Sequence, residues 1–270
     1  MKLSFSTLGC PLWNFDEVIT TAKDLGLSGV EIRGLAKEIY TPKIKEFLPE
    51  HIDATMKKLA QMNVEIPILT SAAALADEEN GDAAYNEACE YVDLAAKIGT
   101  KYIRVMGTNK PEPSYGNFKQ ASMLYSSLCE YAKKKNVTPL IETNGMLASS
   151  KEMLAFINMS GADNAGVLWD VHHTVRYYYE NPEETAAALG ELIRHVHVKD
   201  SVVKNGKIEY RMMGYGDISV LDCVKALKNQ NYGGYISLEW LKRYNPELQE
   251  PGIVFAHFAN YMTTLLGSQL

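Results

Sequence analysis

Hydrophobic and polar positions follow two different periods along this chain. Eight short runs with continuous or alternating apolar residues have the spacing of β-strands: 2–7, 28–33, 64–70, 101–107, 138–143, 166–171, 194–199 and 235–240. Between them lie longer stretches in which apolar residues recur every three or four positions. These stretches predict helices: 15–25, 52–62, 82–98, 120–135, 183–192 and 220–229.

The order of these elements predicts the fold. Strands that alternate with helices form parallel sheets, and eight such units in 270 residues predict an α/β protein with a single (β/α)8 TIM barrel. The chain shows no linker or change in composition, so we expect one domain over residues 1–270. A doubly wound open sheet is the alternative, but "STLGCPLWN" after the first strand is not a glycine-rich phosphate turn.

The stretch "IRHVHVKD" has an unusual strand pattern. His195, His197 and Lys199 alternate with two valines, so one face is ionisable and the other is aliphatic. In a barrel, the valines would pack against the helices. The polar face would then point into the barrel, as expected for an active-site strand.

Four consecutive strands end in residues that can bind a metal ion: Glu142, Asp170, His197 and Glu239. Functional side chains of TIM barrels lie at the carboxyl ends of the strands, so we expect these four to share one rim. Adjacent carboxylates repel one another, and a divalent cation would relieve that repulsion. The donor set suits Mn²⁺ best, with Mg²⁺, Co²⁺ or Zn²⁺ as alternatives. Taken singly, each residue could instead be a structural ion pair, a loop cap or a core histidine.

The segments "LIETNG", "LWDVHHT", "IRHVHVKD", "GYGDI" and "NYGGYISLEW" resemble the xylose-isomerase-like TIM-barrel superfamily. This superfamily contains the sugar phosphate isomerase/epimerase family, ketose epimerases, hydroxypyruvate isomerase, inosose dehydratase and endonuclease IV. The resemblance implies that Glu142, Asp170, His197 and Glu239 bind one catalytic divalent metal. It also implies that His173 contacts the substrate or a further metal, whereas strand parity favours His172.

The resemblance implies a metal-dependent isomerase or epimerase of a sugar or sugar phosphate. Such an enzyme abstracts a proton next to a carbonyl and passes through an ene-diolate. Glu142 and Glu239 are the expected proton-transfer residues, and Lys199 and Glu31 are expected to contact substrate. Lys199 could alternatively form an ion pair with Asp200 or a neighbouring strand.

Other functions remain as alternatives. A metal-dependent dehydratase of a cyclic polyol, of the inosose type, would start with the same proton abstraction. The ketose epimerases carry a second glutamate where this chain has Ala148, which argues against that subgroup. An endonuclease IV-like phosphodiesterase needs additional histidines, but "ILTSAA" and "VMGTN" contain none. A non-catalytic sugar-binding barrel would be expected to have lost a carboxylate.

Composition narrows the partners. The net charge of -6 argues against nucleic acid or an anionic membrane as partner. The resemblance implies a small sugar or sugar phosphate instead. The four cysteines are scattered, which indicates reduced thiols and a cytoplasmic location. No apolar run is long enough for a membrane helix, and the amino terminus predicts a strand rather than a signal peptide. Assembly into a homo-oligomer is implied by the resemblance alone.

Arg33, on the face of Glu31, and Arg104 are further candidates for the rim.

Overall fold

Eight parallel strands form a nearly closed barrel in the computed structural model, which describes residues 1–267. The barrel strands are β1 (Lys2–Ser6), β2 (Gly29–Glu31), β3 (Ile68–Ala74), β4 (Tyr102–Met106), β5 (Thr138–Glu142), β6 (Gly166–Asp170), β7 (Ile193–Val198) and β10 (Tyr235–Leu238). Their order is β2-β1-β10-β7-β6-β5-β4-β3. A separate antiparallel hairpin consists of β8 (Asp200–Lys204) and β9 (Lys207–Arg211). The predicted (β/α)8 fold is confirmed.

Helices connect the barrel strands. Their bounds are α1 (Phe15–Asp24), α2 (Ile52–Met62), α3 (Gly81–Ile98), α4 (Phe118–Lys133), α5 (Ser150–Ser160), α6 (Val171–Tyr178), α7 (Pro182–Leu189), α8 (Val220–Asn229) and α9 (Pro251–Gly267). All six predicted helices are present. The sequence patterns did not predict α5, α6, α9 or the hairpin. Within residues 1–267, no helix combines the length and apolar character needed to cross a membrane.

The third strand begins later than its apolar pattern predicts. Residues 64–70 were expected, but β3 starts at Ile68 and continues to Ala74. Pro67 has no amide hydrogen to donate to a ladder, so it separates β3 from the residues before it. Glu65 pairs instead with the start of β2: its amide donates to Ser28 O and its carbonyl accepts from Val30 N.

The chain forms two compact units, whose boundary lies within β7. The first unit comprises Met1–Ile66 and the chain from His197 onward. Its core contains the stacked rings of Phe5 and Phe255, with centroids 4.0 Å apart. A single domain over residues 1–270 stays a prediction.

The second unit comprises Pro67–Val196 and contains β3 to β6. Ile68, Leu140 and Leu168 form a buried cluster inside it, against which Tyr102 packs. Glu142 and Asp170 are the last residues of β5 and β6, so the apolar cluster supports the strands that carry them.

Asp200 anchors the loop that contains the "GYGDI" segment. Its Oδ2 accepts hydrogen bonds from the amides of Gly214 at 2.9 Å and Gly216 at 2.8 Å. Its Oδ1 accepts from the amides of Ser201 at 2.8 Å and Ile218 at 3.2 Å. A Cβ atom at Gly216 would lie 2.0 Å from Oδ1, so this position requires glycine. Hydrogen bonds to this carboxylate, rather than regular secondary structure, therefore hold the loop in place.

Asp200→Asn should lower the free energy of unfolding by about 2 kcal/mol. The substitution replaces one accepting oxygen with an amide group that faces backbone N–H donors. Urea unfolding followed by circular dichroism would measure the change. Asp163→Asn is the matched control because Asp163 is exposed and pairs with Lys133 at the surface. Equal stability of the two variants would contradict the anchoring role.

Candidate active site

In the second unit, two buried carboxylates end neighbouring strands. Glu142 is 1% exposed and Asp170 is fully buried, and they offer carboxylate oxygens within 4.8 Å of each other. Arg104 lies on β4, next to β5 in the sheet, and its Nη1 donates to Glu142 Oε2 at 2.7 Å. Arg104 Nη2 donates to Ser71 O at 2.6 Å, which fixes the guanidinium in place. One of the two carboxylates therefore has a permanent positive charge beside it.

Asp170 is also the N-cap of α6. Its Oδ1 accepts a hydrogen bond from the His173 amide at 3.0 Å, so the helix begins immediately after the strand. Because no loop separates α6 from β6, the apolar pattern of the sequence did not predict α6 as a separate helix. It also places two histidines at the first turn of the helix.

Both histidines lie close to Asp170. His172 and His173 each offer a ring nitrogen in a group with the Asp170 carboxylate, all within 4.8 Å. His173 Nδ1 lies 2.9 Å from Thr143 O. A carbonyl only accepts, so Nδ1 carries the proton and Nε2 carries the lone pair in the neutral ring. Since the structure brings both rings to Asp170, the choice of His173 over His172 stays a prediction.

In the first unit, His197 lies between two glutamates. Its Nε2 is 2.7 Å from Glu31 Oε2, and its Nδ1 is 3.6 Å from Glu239 Oε1. His197 and Glu31 are both fully buried, and Glu239 is 5% exposed. A hydrogen bond from Nε2 to the Glu31 carboxylate leaves the lone pair of a neutral imidazole on Nδ1. Glu31 thus orients the histidine, as the partners of metal-binding histidines usually do.

Lys199 pairs with Glu239 rather than with Asp200. Its Nζ donates to Glu239 Oε2 at 2.6 Å, and the lysine is only 1% exposed. Of the two ion pairs considered from the sequence, the structure contains the one with a neighbouring strand. Asp200 instead accepts the backbone amides of the "GYGDI" loop.

The arrangement in the first unit fits a divalent cation. The 3.6 Å separation of His197 Nδ1 from Glu239 Oε1 is too long for a hydrogen bond. Two ligands with metal distances near 2.1 Å lie roughly 3 to 3.7 Å apart, which is the separation found here. In the second unit, Glu142 and Asp170 provide two further anionic oxygens of the type that Mn²⁺ and Mg²⁺ prefer. The residues of each unit are therefore chemically suited to a metal ion.

Sequence reasoning missed two contacts around these residues. The bond between Arg104 and Glu142 joins positions 38 residues apart, and the bond between His197 and Glu31 joins positions 166 apart. A charged residue within an otherwise apolar strand pattern was the available signal for Arg104. The pattern alone could not identify its partner.

This chain belongs to the xylose isomerase-like TIM barrel family, whose pattern matches residues 19–255. The family assignment confirms the resemblance inferred from the strand-end segments. No curated protein matches the sequence.

Solved structures share this fold at low sequence identity. The probable 3-DHS dehydratase AsbF from Bacillus anthracis has a TM-score of 0.80 and 16% identity, covering 97% of this chain and 99% of that one. D-psicose 3-epimerase with D-tagatose from Clostridium cellulolyticum H10 has a TM-score of 0.78 and 15% identity, covering 99% and 100%. A xylose isomerase-like TIM barrel protein from Mycobacterium smegmatis, in complex with magnesium, has a TM-score of 0.75 and 16% identity, covering 98% and 96%.

Lys199→Met should destabilise the metal-free protein by about 3 to 5 kcal/mol, because it leaves the Glu239 charge buried without its lysine. The double variant Lys199→Met/Glu239→Gln should recover much of that loss. Urea unfolding in the presence of a chelator would measure both effects.

Lys2→Met is the matched control for this experiment. It removes the lysine of an exposed Lys–Glu pair with Glu65, so its cost should stay below about 1 kcal/mol. A double variant that is less stable than Lys199→Met alone would contradict the pairing.

Proposed function

We propose that this protein is a metal-dependent isomerase or epimerase of a sugar or sugar phosphate. The observation that carries the proposal is the pair of buried glutamates, each held by its own buried cation. Arg104 binds one oxygen of Glu142, and Lys199 binds one oxygen of Glu239. Carboxylates held in fixed positions in this way are suited to proton transfer at carbon, which supports the proposal.

One divalent ion would be held by Glu142, Asp170, His197 and Glu239. When bound, such an ion stabilises the negative charge that develops on the substrate oxygens as a proton leaves the neighbouring carbon. The oxygen-rich donor set supports Mn²⁺, and the magnesium complex of the M. smegmatis protein supports a hard divalent ion in this fold. Glu31 would keep Nδ1 of His197 directed at the ion through its bond to Nε2.

Glu142 and Glu239 would remove and return the proton. Two carboxylates are needed for this step, one to remove the proton and the other to return it. Lys199 and His173 would contact substrate oxygens, which keeps the reacting carbon in place. Substrate contact by Glu31 also stays a prediction. A homo-oligomeric state and a cytoplasmic location stay predictions from the sequence.

Dehydration is the second candidate reaction. The similarity to the probable dehydratase AsbF favours it, as does Ala148 at the position where ketose epimerases carry a second glutamate. Both reactions begin with the same proton abstraction. They differ in whether the intermediate then regains a proton or loses water.

Proton NMR in D₂O should show metal-dependent deuterium uptake beside the carbonyl of a substrate. The panel should contain free ketoses, phosphorylated ketoses and cyclic ketopolyols, each tested with Mn²⁺ and with a chelator. Glu142→Gln and Glu239→Gln should each slow exchange by at least about 100-fold, because an amide cannot act as the base. The appearance of signals from a vinylic or other dehydrated product would identify the dehydratase.

Calorimetric titration with Mn²⁺ separates metal binding from chemistry. The double variant Glu142→Gln/Glu239→Gln should bind the ion more weakly than the wild type, whereas Glu65→Gln, an exposed control, should not differ.

Normal exchange rates in both single glutamine variants would refute the assignment of these residues as proton-transfer groups.

His172→Ala and His173→Ala distinguish the two histidines next to Asp170. The His173 variant should raise KM or lower kcat by about tenfold or more, since it removes the ring whose Nε2 lone pair is set by the bond to Thr143 O. The His172 variant should retain most activity. Impairment of only the His172 variant would reverse the assignment.

A further inference from the structure

Two arginines of the first unit bind the same short loop. Arg33 Nη1 donates to Ile39 O at 3.2 Å, and Arg243 Nη2 donates to Ala36 O at 2.8 Å. Thr7 holds the start of this loop, because its Oγ1 donates to Gly34 O at 2.6 Å. The accepting carbonyls are three residues apart in sequence. The two guanidinium groups are therefore neighbours, close enough for the positive charge of Arg33 to act on Arg243.

Neither arginine has a carboxylate partner among residues 1–267. Arg33 is only 6% exposed, and the Nε of the half-buried Arg243 is inaccessible and makes no hydrogen bond within the described chain. Buried cations in proteins are normally paired, because desolvation of a charge is costly. Arg33 departs from that rule, and the half-buried Arg243 adds a second guanidinium without a carboxylate.

The surroundings do not compensate the positive charge. Burial lowers the pKa of the Arg243 guanidinium; Tyr244 raises it, and the positive charge of Arg33 lowers it further. Cys10 also lies in this region, but burial raises the pKa of its thiol, so it stays neutral. Among the residues that act on the pKa of Arg243, none is a carboxylate.

The pair belongs to the chain segments that carry two candidate active-site residues of the first unit, Glu31 and Glu239. Arg33 follows Glu31 by two residues and Arg243 follows Glu239 by four, so chain geometry limits the Cα separations to about 7 and about 14 Å. A molecule of five or six carbons could reach both a guanidinium and the reacting site. The position suits the end of a substrate that is remote from the carbon losing its proton.

We propose that Arg33 and Arg243 form a binding site for an anionic group of the substrate, either a phosphate or a carboxylate. Planar guanidinium groups match both anions through paired hydrogen bonds. This inference rests on the proposed function, because it takes the anion to be part of that enzyme's substrate. It narrows the substrate to acidic or phosphorylated sugars. A neutral sugar would leave both positive charges without compensation.

Binding to the metal-free protein tests the site independently of catalysis. Calorimetric titrations with D-fructose 6-phosphate, D-glucuronate and D-fructose, at constant ionic strength with a chelator, provide a phosphate, a carboxylate and a neutral arm. At least one anionic probe should bind about tenfold or more tightly than D-fructose. The tighter of the two identifies the preferred anion. Equal, weak binding of all three probes would overturn the proposal.

Arg243→Gln should weaken binding of the preferred anion about 10- to 100-fold, as expected for loss of a hydrogen bond to a charged group. Arg194→Gln is the matched control, because Arg194 is an exposed arginine of β7 outside the first unit. Arg33→Gln should act similarly. Arg33 is buried and its variant could misfold, so Arg243→Gln decides the outcome. An unchanged affinity in a folded Arg243→Gln protein would refute the site.

The two proposals can fail separately. Anion binding that requires Arg243, without deuterium exchange for any sugar, would leave the anion site intact and reject the isomerase. Exchange on neutral sugars, with no preference for the anionic probes, would support the isomerase and reject the anion site.

Discussion

The rule that buried charges require partners governs this structure. Glu142, Glu239 and Lys199 are all nearly inaccessible, and each lies in an ion pair within its own unit. A buried ion pair contributes little net stability, because desolvation of both groups offsets their attraction. Its value lies in geometry, since an unpaired member would be strongly unfavourable. The pairs therefore hold the carboxylates in defined positions at a modest net cost.

The same rule makes Arg33 and Arg243 conspicuous. Arg104 is a buried guanidinium with both kinds of partner, a carboxylate at 2.7 Å and a carbonyl at 2.6 Å. Arg33 and Arg243 have the carbonyls but no carboxylate. The contrast points to a ligand as the source of the missing charge, and it links the electrostatics of the fold to the class of substrate.

Much of the architecture was predictable from local patterns. The strand and helix periods predicted eight barrel strands, and the stretch "IRHVHVKD" placed His195, His197 and Lys199 on one face, all of them buried in the structure. The failures have physical causes. Pro67 delays β3, and Asp170 caps α6 without an intervening loop. In α9 the apolar residues do not follow the narrow stripe of a surface helix, which hides the helical period.

The sequence by itself determined the fold, the family and the strand ends that carry Glu142, Asp170, His197 and Glu239. The fold and the strand ends follow from periodicity and residue type, and the family follows from the resemblance of the strand-end segments. All of these are local properties of the chain. Only the tertiary structure decided which charges meet: Lys199 with Glu239 instead of Asp200, Glu31 with His197, and Arg104 with Glu142. Such partners are separated by tens of residues or more, and the folded backbone alone sets the distance between them.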